Sequence, residues 1–115
     1  MKLRTIYFRV SDIKPSATFW QAFLGTEPSK SFPEWQEFNV GGVRIAILAE
    51  KKLEHAGSGC VRVFEVPDDE LTGTIARAKA LGAKVVLDGL EDPDVRSIVF
   101  TDPAGHEFEV TTFHD

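Results

Sequence analysis

The chain has 115 residues, a formal charge of −5 from thirteen Lys plus Arg against eighteen Asp plus Glu, and 43% hydrophobic residues. That length buries about two thirds of the unfolded surface around one core, so neither disulfides nor a structural metal is needed to fold it. A single cysteine, Cys60, excludes a disulfide framework and fits a cytoplasmic setting. With no His or Lys beside it, Cys60 reads as a small core or edge residue rather than a reactive thiol. The acidic balance, with its cations scattered singly, argues against nucleic acid as a partner. No uncharged apolar run approaches the roughly 18 residues a membrane helix needs, which argues against a membrane. Met1 to Thr5 leads into a strand pattern rather than a signal-peptide core, so the mature chain is expected to be the whole chain.

In chain order, Thr5 to Val10 alternates, with Ile6, Phe8 and Val10 on a buried face and Thr5, Tyr7 and Arg9 on a more polar one. Asp12 is placed to cap a helix that accommodates Pro15 in its first turn. Phe19, Trp20, Phe23 and Leu24 fall on one side of that helix, and Gly25 stops it. Short β-like runs follow near residues 27–30, 34–40 and 43–49, with Gly41 and Gly42 as a hairpin turn. Glu50 to Ser58 is the linker. Val61 to Val66 is then a strand, Asp68 or Asp69 a helix cap, Leu71, Ile75, Ala78 and Leu81 an apolar stripe, and Gly82 a stop. Runs at 84–87, 96–101 and 107–113 complete the pattern, with a turn at Asp102, Pro103, Ala104 and Gly105.

The two halves repeat. Phe8, Val10 and Asp12 recur 56 residues later as Phe64, Val66 and Asp68; Leu24 and Gly25 recur after 57 as Leu81 and Gly82; Gly42 recurs after 63 as Gly105. Residues 1–50 and 58–113 are therefore two βαβββ modules of one domain, an α+β chain.

The doubled unit, the opening Val10, Asp12, Phe19, Trp20, Leu24, Gly25 and the closing Asp102, Pro103, Gly105, Glu109 together resemble the vicinal oxygen chelate superfamily of glyoxalases, bleomycin-resistance proteins and dioxygenases. The resemblance implies a curved eight-stranded mixed sheet, an incomplete barrel or cup with the helices outside. It also implies a ligand inside the cup, and in many members a second subunit that completes it. Metal-dependent relatives carry donors at positions that here read Thr5, Ala46, Val61 and Glu109. One carboxylate cannot supply the three or four N, O or S donors that such metals need. No metal and no cofactor is therefore expected. The histidines do not rebuild a site: His106 points away from Glu107 and Glu109 on a strand beside a turn, His55 lies in the linker, and His114 lies in the C-terminal tail.

Alternation places Tyr7 and Arg9 with Thr5, Arg44 with Ala46, Val63 and Glu65 with Val61, and Glu107 and Thr111 with Glu109. The expected ligand-binding set is Tyr7, Arg9, Trp35, Arg44, Glu65, Glu107 and Glu109, in a polar cup suited to a small organic molecule; the other reading puts these charges at a solvated rim. Glu109 is the catalytic candidate as a general base or ligand acceptor, or else a strand residue paired with Arg9 or Arg44. Phe19, Trp20, Phe23, Phe64 and Phe108 read as core. Phe32, Trp35 and Phe38 surround the mouth, where Trp35 either stacks on a flat ligand or packs against the domain or a dimer partner. The functional expectation is metal-independent binding or sequestration of a small molecule by a cytoplasmic homodimer. The alternative is a glyoxalase-like lyase or isomerase, with or without a metal.

Overall fold

The computed structural model describes residues 1–50 and 59–113, and the expected linker and His55 lie outside them, as does His114. The described residues form eight strands and two helices: β1 (Lys2–Val10), α1 (Ile13–Leu24), β2 (Lys30–Phe32), β3 (Trp35–Val40), β4 (Val43–Ala49), β5 (Cys60–Glu65), α2 (Asp68–Ala80), β6 (Lys84–Gly89), β7 (Val95–Thr101) and β8 (Glu107–Phe113). This is the α+β chain of two βαβββ modules expected from the repeat. Two compact units result, Thr5–Cys60 and Val61–Asp115, the latter joined by Met1–Arg4.

In the first unit the strands run in the order β2-β3-β4-β1, with β1 parallel to β4 and the other pairs antiparallel. Gly41 and Gly42 both take positive φ, 57° and 91°, as a two-residue hairpin requires, and the Asn39 side chain accepts from the Gly42 N–H at 3.2 Å. Asp12 caps α1 through the Lys14 N–H at 3.3 Å, and Gly25 closes it in the left-handed region at φ 67°. Trp20 stacks on Phe8 at 5.6 Å, and Phe38 and Ile47 are fully buried on the same helix-facing side of the sheet.

Two expectations fail in this unit. Phe19 and Phe23 are 58% and 72% exposed, stacked on each other along the outer flank of α1, because the helix seats only its Trp20 edge on the sheet. On β1, Thr5 and Tyr7 are buried while Ile6, Phe8 and Val10 are only half-buried, so the nominally polar face is the better covered one.

The second unit runs β5-β8-β7-β6, with β5 parallel to β8. Its core is Val66, Leu71, Ile75, Ile98, Phe100 and Val110, and α2 packs on β8. The helix is not capped by Asp68 or Asp69. Pro67 is the N-cap and has no side chain to offer, so Asp68 becomes the first helical residue and its carboxylate takes the Arg96 guanidinium at 3.0 Å. The acids of the first turn still complement the positive end of the helix dipole. At the other end the Gly82 N–H bonds the Lys79 carbonyl and the Ala83 N–H the Ala78 carbonyl, at 3.1 and 3.0 Å, with Gly82 at φ 100°. Leu81, expected in the apolar stripe, is 75% exposed because it falls at this reversal, past the last helical turn.

Candidate functional site

On the sheet face of the first unit that bears Thr5 and Tyr7, strand register sets three rows across β1, β4 and β3. They are Thr5, Arg44 and Asn39; Tyr7, Ala46 and Glu37; and Arg9, Leu48 and Trp35. Ala46 contributes only a methyl group between Tyr7 and Glu37, so larger neighbours close over it. The Trp35 ring meets Tyr7 edge-on at 5.5 Å and 62°, and its Nε1–H donates to Glu37 Oε1 at 3.3 Å. Arg44 Nε lies 3.4 Å from Glu37 Oε2. The carboxylate of Glu37, a residue only 6% exposed, is thus held from both sides. Trp35 and Arg44 are half-buried and form the accessible part of the group. Next to it, Arg9 Nε reaches Glu50 Oε1 at 3.2 Å and its guanidinium sits 5.7 Å from the Tyr7 ring centre.

Three of the residues expected from the sequence, Tyr7, Trp35 and Arg44, therefore come together, with Arg9 alongside. The centre of the cluster, Glu37, was not among them. Its signal was available: two residues from Trp35 on a strand, it shares that side chain's face.

The second unit holds the remaining candidates. Glu65 is engaged by Arg4 and by Lys2, and the Arg4 guanidinium also lies 3.5 Å over the Phe113 ring. Glu107 is buried opposite Thr101. Glu109 is half-buried between Val63 on one side and Val99 on the other, both buried.

The metal that the superfamily resemblance implies does not fit these residues. In the first unit the donor positions are a buried Thr5 hydroxyl and the methyl group of Ala46; in the second they are the buried isopropyl group of Val61 and Glu109. Among the described residues no group of three or more His, Cys, Asp or Glu is gathered to hold an ion.

Asp102 in the closing turn is structural. Its Oδ1 accepts the N–H groups of Ala104 and His106, both at 2.9 Å, and Gly105 takes φ 90°. The His106 N–H, foremost, holds its carboxyl below the usual range. The Asp94 and Val95 N–H groups do the same for Asp92 in the loop before β7. No helix among the described residues is long and apolar enough to cross a membrane.

The profile of the glyoxalase-like domain family matches residues 5–111. Metallothiol transferase FosB of Lysinibacillus sphaericus (strain C3-41) is 30% identical over 112 residues, which cover 93% of this chain and 79% of that protein. NAD-dependent benzaldehyde dehydrogenase from Legionella pneumophila superposes with a TM-score of 0.77 at 19% identity, over 96% of this chain and 98% of the other. A glyoxalase/bleomycin resistance protein/dioxygenase superfamily member from Vibrio splendidus 12B01 superposes with a TM-score of 0.69 at 21% identity, over 96% and 99%. The two superpositions speak for the fold alone. Matched over nearly its whole length, and carrying the doubled module with its shared strand order, the chain belongs to the glyoxalase-like domain family of the vicinal oxygen chelate superfamily.

Proposed function

We propose that the protein binds a small organic molecule, without a metal, on the sheet face that carries Tyr7, Trp35, Glu37 and Arg44. The observation behind this reading is the Glu37 carboxylate, buried yet tied to the two partly accessible side chains Trp35 and Arg44. A flat apolar ring beside a fixed charge pair offers stacking and directional hydrogen bonds to one small ligand. The acidic balance and scattered cations support a small molecule over nucleic acid as the partner. The test is a thermal-shift screen of chelator-treated protein, since a ligand that binds only the folded state raises the melting temperature by mass action. A hit that quenches tryptophan fluorescence and loses about 1 kcal/mol or more of binding in Trp35→Ala supports the reading. A hit indifferent to both Trp35→Ala and Arg44→Ala refutes it.

A catalytic reading takes Glu109, half-buried between Val63 and Val99, as the general base of a lyase or isomerase reaction. The FosB relative raises transfer of a thiol to the bound molecule as the competing chemistry. Loss of turnover with retained binding in Glu109→Gln would favour catalysis over sequestration.

We place the protein in the cytoplasm as a homodimer. The exposed apolar side chains Val85, Val86 and Leu87 on the edge strand β6 support association. Sedimentation at micromolar concentration should give about twice the 12.8 kDa chain mass, and a clean monomer would reject the dimer.

A further inference from the structure

We propose that the second unit carries a separate binding site for a compact aromatic monoanion, between the C-terminal half of α2 and strands β5 and β8. A cavity of about 280 Å³ opens there, walled by Phe64, Ala78, Leu81, Phe108 and Val110. Strand alternation puts Phe64, Phe108 and Val110 on the helix side, the opposite side of β5 and β8 from Val63 and Glu109, where the superfamily places its ligands.

The cavity has a sequence cause. The inward stripe of α2 begins with Leu71 and Ile75, which fill the core, and then falls to Ala78, which leaves its layer short of volume. The turn at Gly82 then carries the chain away and strands Leu81 as a solvent-exposed apolar wall. Phe64 and Phe108 meet at 6.5 Å and 73°, an aromatic corner suited to the edge or face of another ring. At about 280 Å³ the volume lies near the lower bound for small-molecule pockets, which sets the size of the occupant.

The polar groups around it select its charge. Thr74 Oγ1 donates to the Glu70 carbonyl at 2.8 Å and has no proton left to give. The Asp102 carboxylate at the rim is turned to its own loop, where the Ala104 and His106 N–H groups occupy its Oδ1. Arg77, also at the rim, is exposed, and its guanidinium makes no hydrogen bond or ion pair with another described residue. The charged group left open to a ligand at the mouth is therefore the Arg77 guanidinium.

The experiment is a titration of the full ¹⁵N-labelled chain with phenylacetate and with phenylacetamide, its uncharged counterpart, followed by amide chemical shifts. Phenylacetate should move the amides of Thr74, Ala78, Leu81 and Ala83 saturably and bind about three- to fivefold more tightly than the amide, the range of one exposed ion pair. Arg77→Gln, a surface change, should reduce phenylacetate to the affinity of phenylacetamide. Ala78→Leu, which fills the cavity, should abolish both, and Ala83→Leu serves if that variant fails to fold. No shift at these amides at millimolar ligand, equal binding of both compounds unaffected by Arg77→Gln, or shifts confined to the surroundings of Tyr7 and Trp35 would each overturn the proposal. Concentration-dependent shifts of the same amides in ligand-free protein would show a second copy in the cavity and overturn it as well.

Discussion

Ala46 and Glu109 occupy one position of the repeated module. Ala46 stands beside Tyr7 on the parallel pair β4 and β1, and Glu109 stands beside Val63 on the parallel pair β8 and β5. Tyr7 and Val63 are 56 residues apart, Ala46 and Glu109 63, so the two shifts read from the sequence recur in the strand register. The same position thus holds a methyl group in one unit and a carboxylate in the other. That asymmetry leaves Glu109 as the single metal-type donor among the four family positions, and it makes room in the first unit for Glu37 to be drawn in beside Ala46.

The Glu37 pair has a measurable consequence for stability. Arg44→Ala takes the guanidinium from a buried carboxylate that also accepts from Trp35 Nε1–H, and should cost about 1–3 kcal/mol. Adding Glu37→Gln should recover part of this, so a double-mutant cycle by urea denaturation should show a favourable coupling between the two side chains. Strict additivity would mean that the pair contributes nothing.

Burial reverses the sequence reading of two aromatics: Phe38, expected around the mouth, is fully buried on the helix-facing side of the sheet, and Phe23, expected in the core, is exposed. Phe38→Ala, at a fully buried position, should cost about 3–5 kcal/mol, whereas Phe23→Ser on the outer flank of α1 should stay within about 0.5 kcal/mol of the parent. Chemical denaturation of the two variants checks both values. A large loss at Phe23 would place that ring in a contact that its exposure denies.

The modules, their turns and most of their strands were legible because glycine and proline mark turns and alternation marks strands. Gly25, Gly41, Gly42, Gly82 and Gly105 all take the positive φ that those roles require. What was not legible depends on the partner across the contact. Helical spacing shows that Phe19 and Phe23 share a side with Trp20, but not that the sheet under α1 covers only the Trp20 edge. Asp68 has the right residue type for a cap, yet Pro67 before it takes the cap position and Arg96, distant in sequence, takes its carboxylate. Glu37 in a short polar run looks solvated until the pairing with Ala46 sets it between Trp35 and Arg44.

The closing turn should respond to pH. Because the His106 N–H, above all, keeps the Asp102 carboxyl below its ordinary value, the stabilisation is complete above the unfolded value of about 3.9 and is lost as the pH falls through the folded one. Asp102→Asn should therefore melt below the parent at neutral pH, and the gap should narrow below about pH 4. Thermal melts across that range check it; a gap that widens in acid would contradict the assigned cause.

Gly41 offers a backbone test. Its φ of 57° in the hairpin between β3 and β4 is one that alanine adopts at a cost of about 1–2 kcal/mol, with no steric neighbour to add to it. Gly41→Ala should destabilise by that amount, while Gly41→Asn should cost less because asparagine tolerates the left-handed region. Equal losses in the two variants would point to something other than backbone strain.

The central claim, metal-free recognition of a small molecule beside Glu37, is tested most directly by isothermal titration of a screened ligand into protein with and without excess chelator, alongside elemental analysis of the same sample. The account predicts well under one divalent ion per chain and the same dissociation constant in both titrations. A stoichiometric transition metal together with loss of binding on chelation would contradict it.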